Sequence, residues 1–541
     1  MNNSIFTIEA PANEPIHTFG PGSPERAAVQ KELAAMSAEI PELPLIIGGK
    51  EVRTGKIADA LNPNDGTVLA RYHQATEAHV EQAIAAALEA KRQWESLSWV
   101  ERASINLRIA ELISKKYRDR ILASTMLGQG KNVYQAEIDA ACEVIDFLRF
   151  NAYFAGQIYA DQPRSAGDQL NRLEYRPLEG FVLAVSPFNF TAIGSNLNMS
   201  VALMGNATVW KPASTAVLSS YVLMDIYREA GLPGGVVNFV PGSGSMIGRV
   251  AMSNRNFAGV HFTGSNGTFN QLWRTVAANL EHYKTYPRIV GETGGKGFVF
   301  AHPSADPVEV ATALVRGGFE YQGQKCSAAS RAYIPRSLWP AVKSAALDML
   351  GTIKMGDVRD LTNFVNPVID AASFENIMGY IAKVKAAPDA EIIAGGTGDK
   401  SHGFYIQPTI VLTTNPHFVT MEEEIFGPVL TVYVYEDADW TATLGLCDTT
   451  SPYALTGCVF SQDRYAFIEA CRALRYAAGN FYLNDKPTGA SVGLQPFGGA
   501  RGSGTNDKAG GPLNLLRWIS PRTVKETFVP ARDYRYPFLE A

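Results

Sequence analysis

Cysteine is scarce in this chain: five in 541 residues, at positions 142, 326, 447, 458 and 471, with no two in a CxxC spacing. An odd, scattered set excludes a disulfide framework and fits a reducing compartment. Histidine is also sparse. The eight residues form no ligand pattern, so a structural zinc site has no support. Charge of one sign never accumulates: 48 Lys and Arg are mixed with 53 Asp and Glu for a net charge of −5. No basic groove or arm is available for nucleic acid. No apolar run reaches the roughly 18 residues that a membrane span needs. The most apolar stretch, 181–204, is broken by Pro187, Asn189, Asn196 and Asn198. The leading 26 residues have neither an apolar signal core nor an Arg-rich, acid-poor transit composition. The expectation is a soluble, cytoplasmic protein without metal, nucleic acid or membrane as a partner.

What is present is enough apolar material, 46% of residues, for extensive cores, and the length predicts two or three domains. Residues 1–60 read as an extended, proline-marked segment around one short helix near Pro24–Met36. From Thr76 to Gly156 the chain is Ala-rich and charged, with apolar residues at helical spacing such as Val80, Ile84, Ala87 and Leu88. The polar stretch Ile158–Pro177 reads as a hairpin or arm. Apolar strands then alternate with helices: FVLAVSPFN, ATVWKP, VVNFVPG and GVHFTG, and after Gly295 FVFAH, ASRAYIP, VLTVYVYE, TGCVFSQD and GNFYLND. Ser214 or Thr215 is positioned to cap the helix that stops at Gly231. Such alternation means βαβ units and parallel sheets covered on both faces. The fold class is therefore α/β, with two doubly wound domains and Glu292 near their junction.

The chemistry concentrates at Cys326, in YQGQKCSAASR, with Glu292 of VGETGGK lying 34 residues upstream. A thiolate attacks a carbonyl carbon, and a separate carboxylate can activate water against the resulting thioester. A lone cysteine is more often a buried small hydrophobe. The flanking glycines, Lys325 and Ser327 argue against that here. Asn189 of SPFNF ends a strand among apolar residues, where it either ties down a loop or donates to a developing oxyanion. Lys211 of WKPAS lies where ligands of open α/β sheets bind. Gly242, Gly244 and Gly248 follow a strand without the GxGxxG spacing, a weak dinucleotide signal. FTGSNGT offers a second strand, turn and helix start able to hold a pyrophosphate. Glu424 precedes the apolar turn of EEIFGP. The long Gly-rich loop from Asn484 to Gly511 is of a length that usually serves function.

Taken in order, PFN, WKP, FTGS, GExGGK, GQxC, EEIFGP and PFGG resemble the NAD(P)-dependent aldehyde dehydrogenase superfamily over nearly the whole chain. ANEPI, GSPER, SPFNFTAIGSNLN, FEYQGQKCSA and AGNFYLNDKPTGASVG narrow the resemblance to its Δ1-pyrroline-5-carboxylate (glutamate γ-semialdehyde) branch. That resemblance implies a variant Rossmann cofactor domain (1–157 and 181–291) and a catalytic domain (292–500). It implies a dimer-building arm and C-terminal segment (158–180 and 501–541), and hence a homodimer or dimer-based oligomer.

By the same resemblance, Cys326 is the nucleophile, its thiol pKa offset by Lys325 and backbone dipoles. Asn189 and the Cys326 N–H hold the oxyanion, and Glu292 activates water. Ser186, Lys211 and the turn Gly264, Ser265, Asn266, Gly267 and Thr268 bind NAD, with Glu424 on the nicotinamide ribose. Ser327 and the backbone of Gly489 and Ala490 hold the amino-acid end of the substrate, and Phe190 and Phe497 flank its aliphatic middle. Ser214 stands where the superfamily commonly has glutamate, so no acidic side chain there repels a 2′-phosphate. The branch implies NAD. The alternatives are another carboxy-aldehyde dehydrogenase, such as a succinate semialdehyde enzyme, or a cysteine hydrolase or acyltransferase needing no nicotinamide.

Overall fold

A computed structural model describes residues 6–539. Five parallel strands, Phe181–Val185, Thr208–Lys211, Val237–Phe239, Phe257–Thr263 and Arg288–Glu292, build most of the first sheet. All but a few of their residues are buried, because helices cover both faces and leave no side for polar alternation. The first of these strands lies centrally, with the second and third on one side and the fourth and fifth on the other. Strand order therefore reverses between Phe181–Val185 and Phe257–Thr263, and the crevice outside their carboxyl ends is where such sheets bind ligands.

The leading segment does more than run extended. The helix spans Pro24–Ser37, but Leu45–Ile47 and Lys50–Val52 then add two antiparallel strands to the first sheet. The helix after Lys211 also differs from the expectation. A short turn, Ser214–Ala216, precedes the helix Val217–Glu229, and neither Ser214 nor Thr215 caps it by side chain.

The second sheet is also seven-stranded, in the order Ala390–Ala394, Thr409–Thr413, Val429–Tyr435, Ala329–Pro335, Gly297–Ala301, Thr456–Phe460, Asn480–Leu483. Only Ala390–Ala394 runs antiparallel. Four residues, 293–296, join the last strand of the first sheet to Gly297–Ala301 of the second. The short hop is possible because glycines pass there against neighbours. A Cβ on Gly294 would run into the Glu424 carboxylate, and one on Gly295 into the Cys326 carbonyl.

The stretch 158–177 is not a hairpin on itself. Ile158 lies in the last turn of the helix Val144–Ala160, and Gln169–Pro177 pairs antiparallel with Ile519–Thr527 along nine residues. The partner strand comes from the far end of the chain, which local sequence does not reveal. Among the described residues, no helix is long and apolar enough to cross a membrane, and no cluster of His, Cys, Asp and Glu could hold a metal.

Candidate active site

Cys326 emerges from a strained turn. Tyr321 and Gln322 have φ of 52° and 54°, the left-handed region that costs a non-glycine residue about 1–3 kcal/mol. Three side-chain bonds hold the turn. Tyr321 Oη donates to Gln129 O at 2.9 Å, and Gln322 Nε2 donates to Gly130 O and Pro367 O, both at 2.9 Å. Asn189 Nδ2 donates to Gln324 O at 3.0 Å, so one amide hydrogen ties the end of SPFNF to the cysteine segment and the other is left for a ligand.

Cys326 is 8% exposed and lines two cavities at once. The larger, of 1180 Å³, lies at the carboxyl ends of the first sheet and reaches Glu424 of the second half. Ser186, Asn189, Lys211, Gly264, Ser265, Gly267, Thr268 and Glu424 all line it. Asn266 does not: its Nδ2 is turned away to Gly502 O at 2.7 Å, so the turn presents four of its five residues to the cleft. Ser265 caps the helix Asn266–Ala278 through Thr268 N, leaving that helix start aimed at the cleft. Lys211 is pushed below the usual lysine range by burial and makes no hydrogen bond or ion pair among the described residues. Glu424 Oε1 accepts from Gly295 N at 2.7 Å, and burial raises its carboxyl to about 7.

The smaller cavity, of 120 Å³, is lined by Glu292, Phe190, Ser327, Gly489, Ala490 and Phe497. Glu292 ends the strand Arg288–Glu292, and burial pushes its carboxyl up to about 8, with Lys508 opposing the shift and Asp507 adding to it. Burial also pushes the Cys326 thiol up, and the carboxylates of Glu292 and Glu424 push it further, opposed by the N–H groups of Cys326 and Ser327. Lys325, expected to offset the thiol, is paired instead with a carboxylate: its Nζ lies 3.4 Å from Glu320 Oε2. Lys486 Nζ lies 2.9 Å from the same carboxylate oxygen.

Several residues of this cavity were not singled out from the sequence. Thr488 Oγ1 is 2.7 Å from Ser327 Oγ. Glu143 lines the cavity with its carboxyl raised to about 8 by burial and by Asp139. Lys325, Lys486 and Lys508 line it too, so an anion here meets cationic side chains as well as backbone donors. Cys326 shares one cavity with the Asn189 amide and the other with the Glu292 carboxyl, and a thiol so placed can form a covalent acyl link that a separate carboxyl helps to hydrolyse.

The aldehyde dehydrogenase family model matches residues 51–524. The chain belongs to the aldehyde dehydrogenase family. Within that family, it is 54% identical over 537 residues to a mitochondrial Δ1-pyrroline-5-carboxylate dehydrogenase of Dictyostelium discoideum, covering 98% of this chain and 96% of that one. The human mitochondrial protein of the same name is 49% identical over 531 residues, covering 98% and 94%. A Mycobacterium tuberculosis Δ-pyrroline-5-carboxylate dehydrogenase solved with NAD is 48% identical, with a TM-score of 0.96 and both chains covered over 100% of their length.

The larger cleft of this aldehyde dehydrogenase fits a dinucleotide on its own residues. It combines a helix start, a half-buried lysine with no ion-pair partner among the described residues and a carboxylate at the far end. A Cβ on Gly264 would overlap the Phe262 ring, which keeps the backbone of the turn bare toward the cleft.

Proposed function

We propose that the chain oxidises L-glutamate γ-semialdehyde, the open form of Δ1-pyrroline-5-carboxylate, to L-glutamate with NAD. The observation that carries this reading is that Cys326 forms a wall shared by a dinucleotide-sized cleft and a small pocket holding Glu292. One reacting carbon can therefore touch the sulfur, face the cofactor and remain within reach of a base.

The Cys326 thiol releases its proton to solvent, and its Sγ adds to the aldehyde carbon. The oxyanion of the thiohemiacetal is held by Asn189 Nδ2 and the Cys326 N–H. NAD in the cleft supplies the acceptor for the hydride leaving that carbon. Lys211 and the helix start at Ser265 hold its phosphates and ribose, and Glu424 its nicotinamide ribose. Glu292 then takes a proton from water, the hydroxide adds to the thioester, and the C–S bond breaks to return the Cys326 thiolate.

Ser327, the N–H groups of Gly489 and Ala490 and the nearby lysines suit a carboxylate, and the Glu143 carboxyl suits an ammonium. A substrate with both at one end and an aldehyde at the other matches that arrangement, with Phe190 and Phe497 along its methylenes. Ser214 is uncharged, so it places no charge repulsion on a 2′-phosphate. The reading keeps the division into cofactor, catalytic and arm regions. It also keeps a homodimer joined through the exposed strands Gln169–Pro177 and Ile519–Thr527. The five free cysteines suit a reducing compartment, the cytoplasm in this reading.

The test is a substrate panel of L-glutamate γ-semialdehyde, succinate semialdehyde and propionaldehyde, each with NAD and NADP, followed at 340 nm. The expected result is the highest kcat/KM for the glutamate compound with NAD. A preference for succinate semialdehyde overturns the substrate, and thioester hydrolysis without any nicotinamide reduction overturns the reaction class.

A further inference from the structure

The ANEPI segment near the start of the chain has no part in the chemistry above, yet it reaches the small pocket from behind. Asn13 Nδ2 spends both its hydrogens, donating to Asp146 Oδ2 at 2.7 Å and to Val492 O at 2.8 Å. Asp146 belongs to the helix Val144–Ala160, which places Phe147 on the pocket wall just after Glu143. Val492 belongs to the loop that carries Gly489 and Ala490, and it lines the same pocket. The two walls are pressed together at Gly493, where a Cβ would overlap the Phe150 ring.

The segment is itself firmly moored. Glu14 N donates to Asp146 Oδ1 at 2.8 Å. The Glu14 carboxylate is buried and accepts from Arg118 at 2.6 Å, Arg149 at 2.7 Å and Ser114 at 2.8 Å. Arg118 also donates to Pro15 O at 2.9 Å. Asn13 thus hangs from a fixed anchor and is 479 residues distant in sequence from the loop it holds.

We infer that Asn13 is a positioning residue for substrate recognition: its amide clamps the Val492 loop to the Val144–Ala160 helix and so sets where the Gly489 and Ala490 donors meet the carboxylate end of the aldehyde. The inference rests on the substrate proposed above. Among the described residues the Val492 carbonyl takes no other hydrogen bond, so losing Asn13 removes the bond that ties this part of the loop to the helix, whereas Glu14 and its partners keep the segment in place.

The experiment compares wild type with Asn13→Ala and Asn13→Asp in the full chain. The aspartate cannot donate and brings a carboxylate against Asp146. Asn13→Ala should raise KM for L-glutamate γ-semialdehyde about three- to tenfold, the worth of one buried hydrogen bond, with kcat nearly kept. Asn13→Asp should raise it further. KM for NAD and kcat/KM for propionaldehyde, which has no carboxylate, should stay within about twofold of wild type. Equal losses on both aldehydes, or none on either, overturn the clamp. Amide hydrogen exchange at 489–493 without any substrate separates this idea from the substrate assignment. It should quicken in Asn13→Ala whatever aldehyde the enzyme prefers, and unchanged exchange also overturns the clamp.

Discussion

The hydroxyls of Ser327 and Thr488 lie 2.7 Å apart, joining the residue after the nucleophile to the loop that carries Gly489 and Ala490. The two residues come from segments 161 positions apart, and both line the small pocket. The pair therefore fixes the distance between the reacting sulfur and the groups that suit the far end of a substrate.

Ser327→Ala should lower kcat/KM for L-glutamate γ-semialdehyde by about tenfold to a hundredfold, the 1.5–3 kcal/mol of a hydrogen bond to a charged group. Propionaldehyde should be little affected. Equal losses would mean that Ser327 shapes the cysteine turn instead.

Cys326→Ala should abolish dehydrogenase activity while leaving folding and NAD binding intact, the latter read by calorimetry. Substitution of Cys142, Cys447, Cys458 or Cys471 should leave turnover in place, since none of them lines either cavity. Residual turnover in Cys326→Ala would refute covalent catalysis at this sulfur.

Glu292→Gln should give a burst of NADH followed by a stalled thioester, seen by rapid mixing and by mass spectrometry of the acylated enzyme. The pH dependence follows from the sign of its shift. A carboxyl raised to about 8 is neutral below that value and becomes a base above it. Only about a tenth is ionised at pH 7, so single-turnover hydrolysis of the thioester should climb between pH 7 and 9 and then level off. That inflection should vanish in Glu292→Gln. A flat profile in the wild type would show that another group takes the proton from water.

Asn189→Ala should cost on the order of 10²–10³ in kcat, the usual loss for one oxyanion donor. The bond to Gln324 O is lost as well, so the melting temperature is measured alongside. A few-fold loss in kcat with a lowered melting temperature would assign Asn189 to the loop alone.

Cys326, Glu292 and Asn189 stand out in the sequence because each is a polar or reactive residue set among glycines or at the end of an apolar strand. The alternation that announces both sheets is equally visible, since fully buried strands must be apolar throughout. Other parts are silent for physical reasons. Leu45–Ile47 and Lys50–Val52 are three residues each, too short to show a period. Ala390–Ala394 is only partly buried and carries no alternation. Thr488, Glu143 and Lys486 take their meaning from neighbours far away in the chain, and nothing local marks them. Lys325 misleads for the same reason: adjacent to Cys326 in sequence, it is turned to Glu320 in space.

The four residues at 293–296 have a further consequence. Glu292 closes the last strand of one sheet, and Cys326 sits in a segment feeding the other. Neither half of the chain owns a complete hydrolytic pair. A polypeptide cut at this joint would yield one piece with Glu292 but without Cys326, and another with Cys326 but without Glu292. Turnover would return only on mixing the two, and its dependence on fragment concentration would report how tightly the halves hold each other.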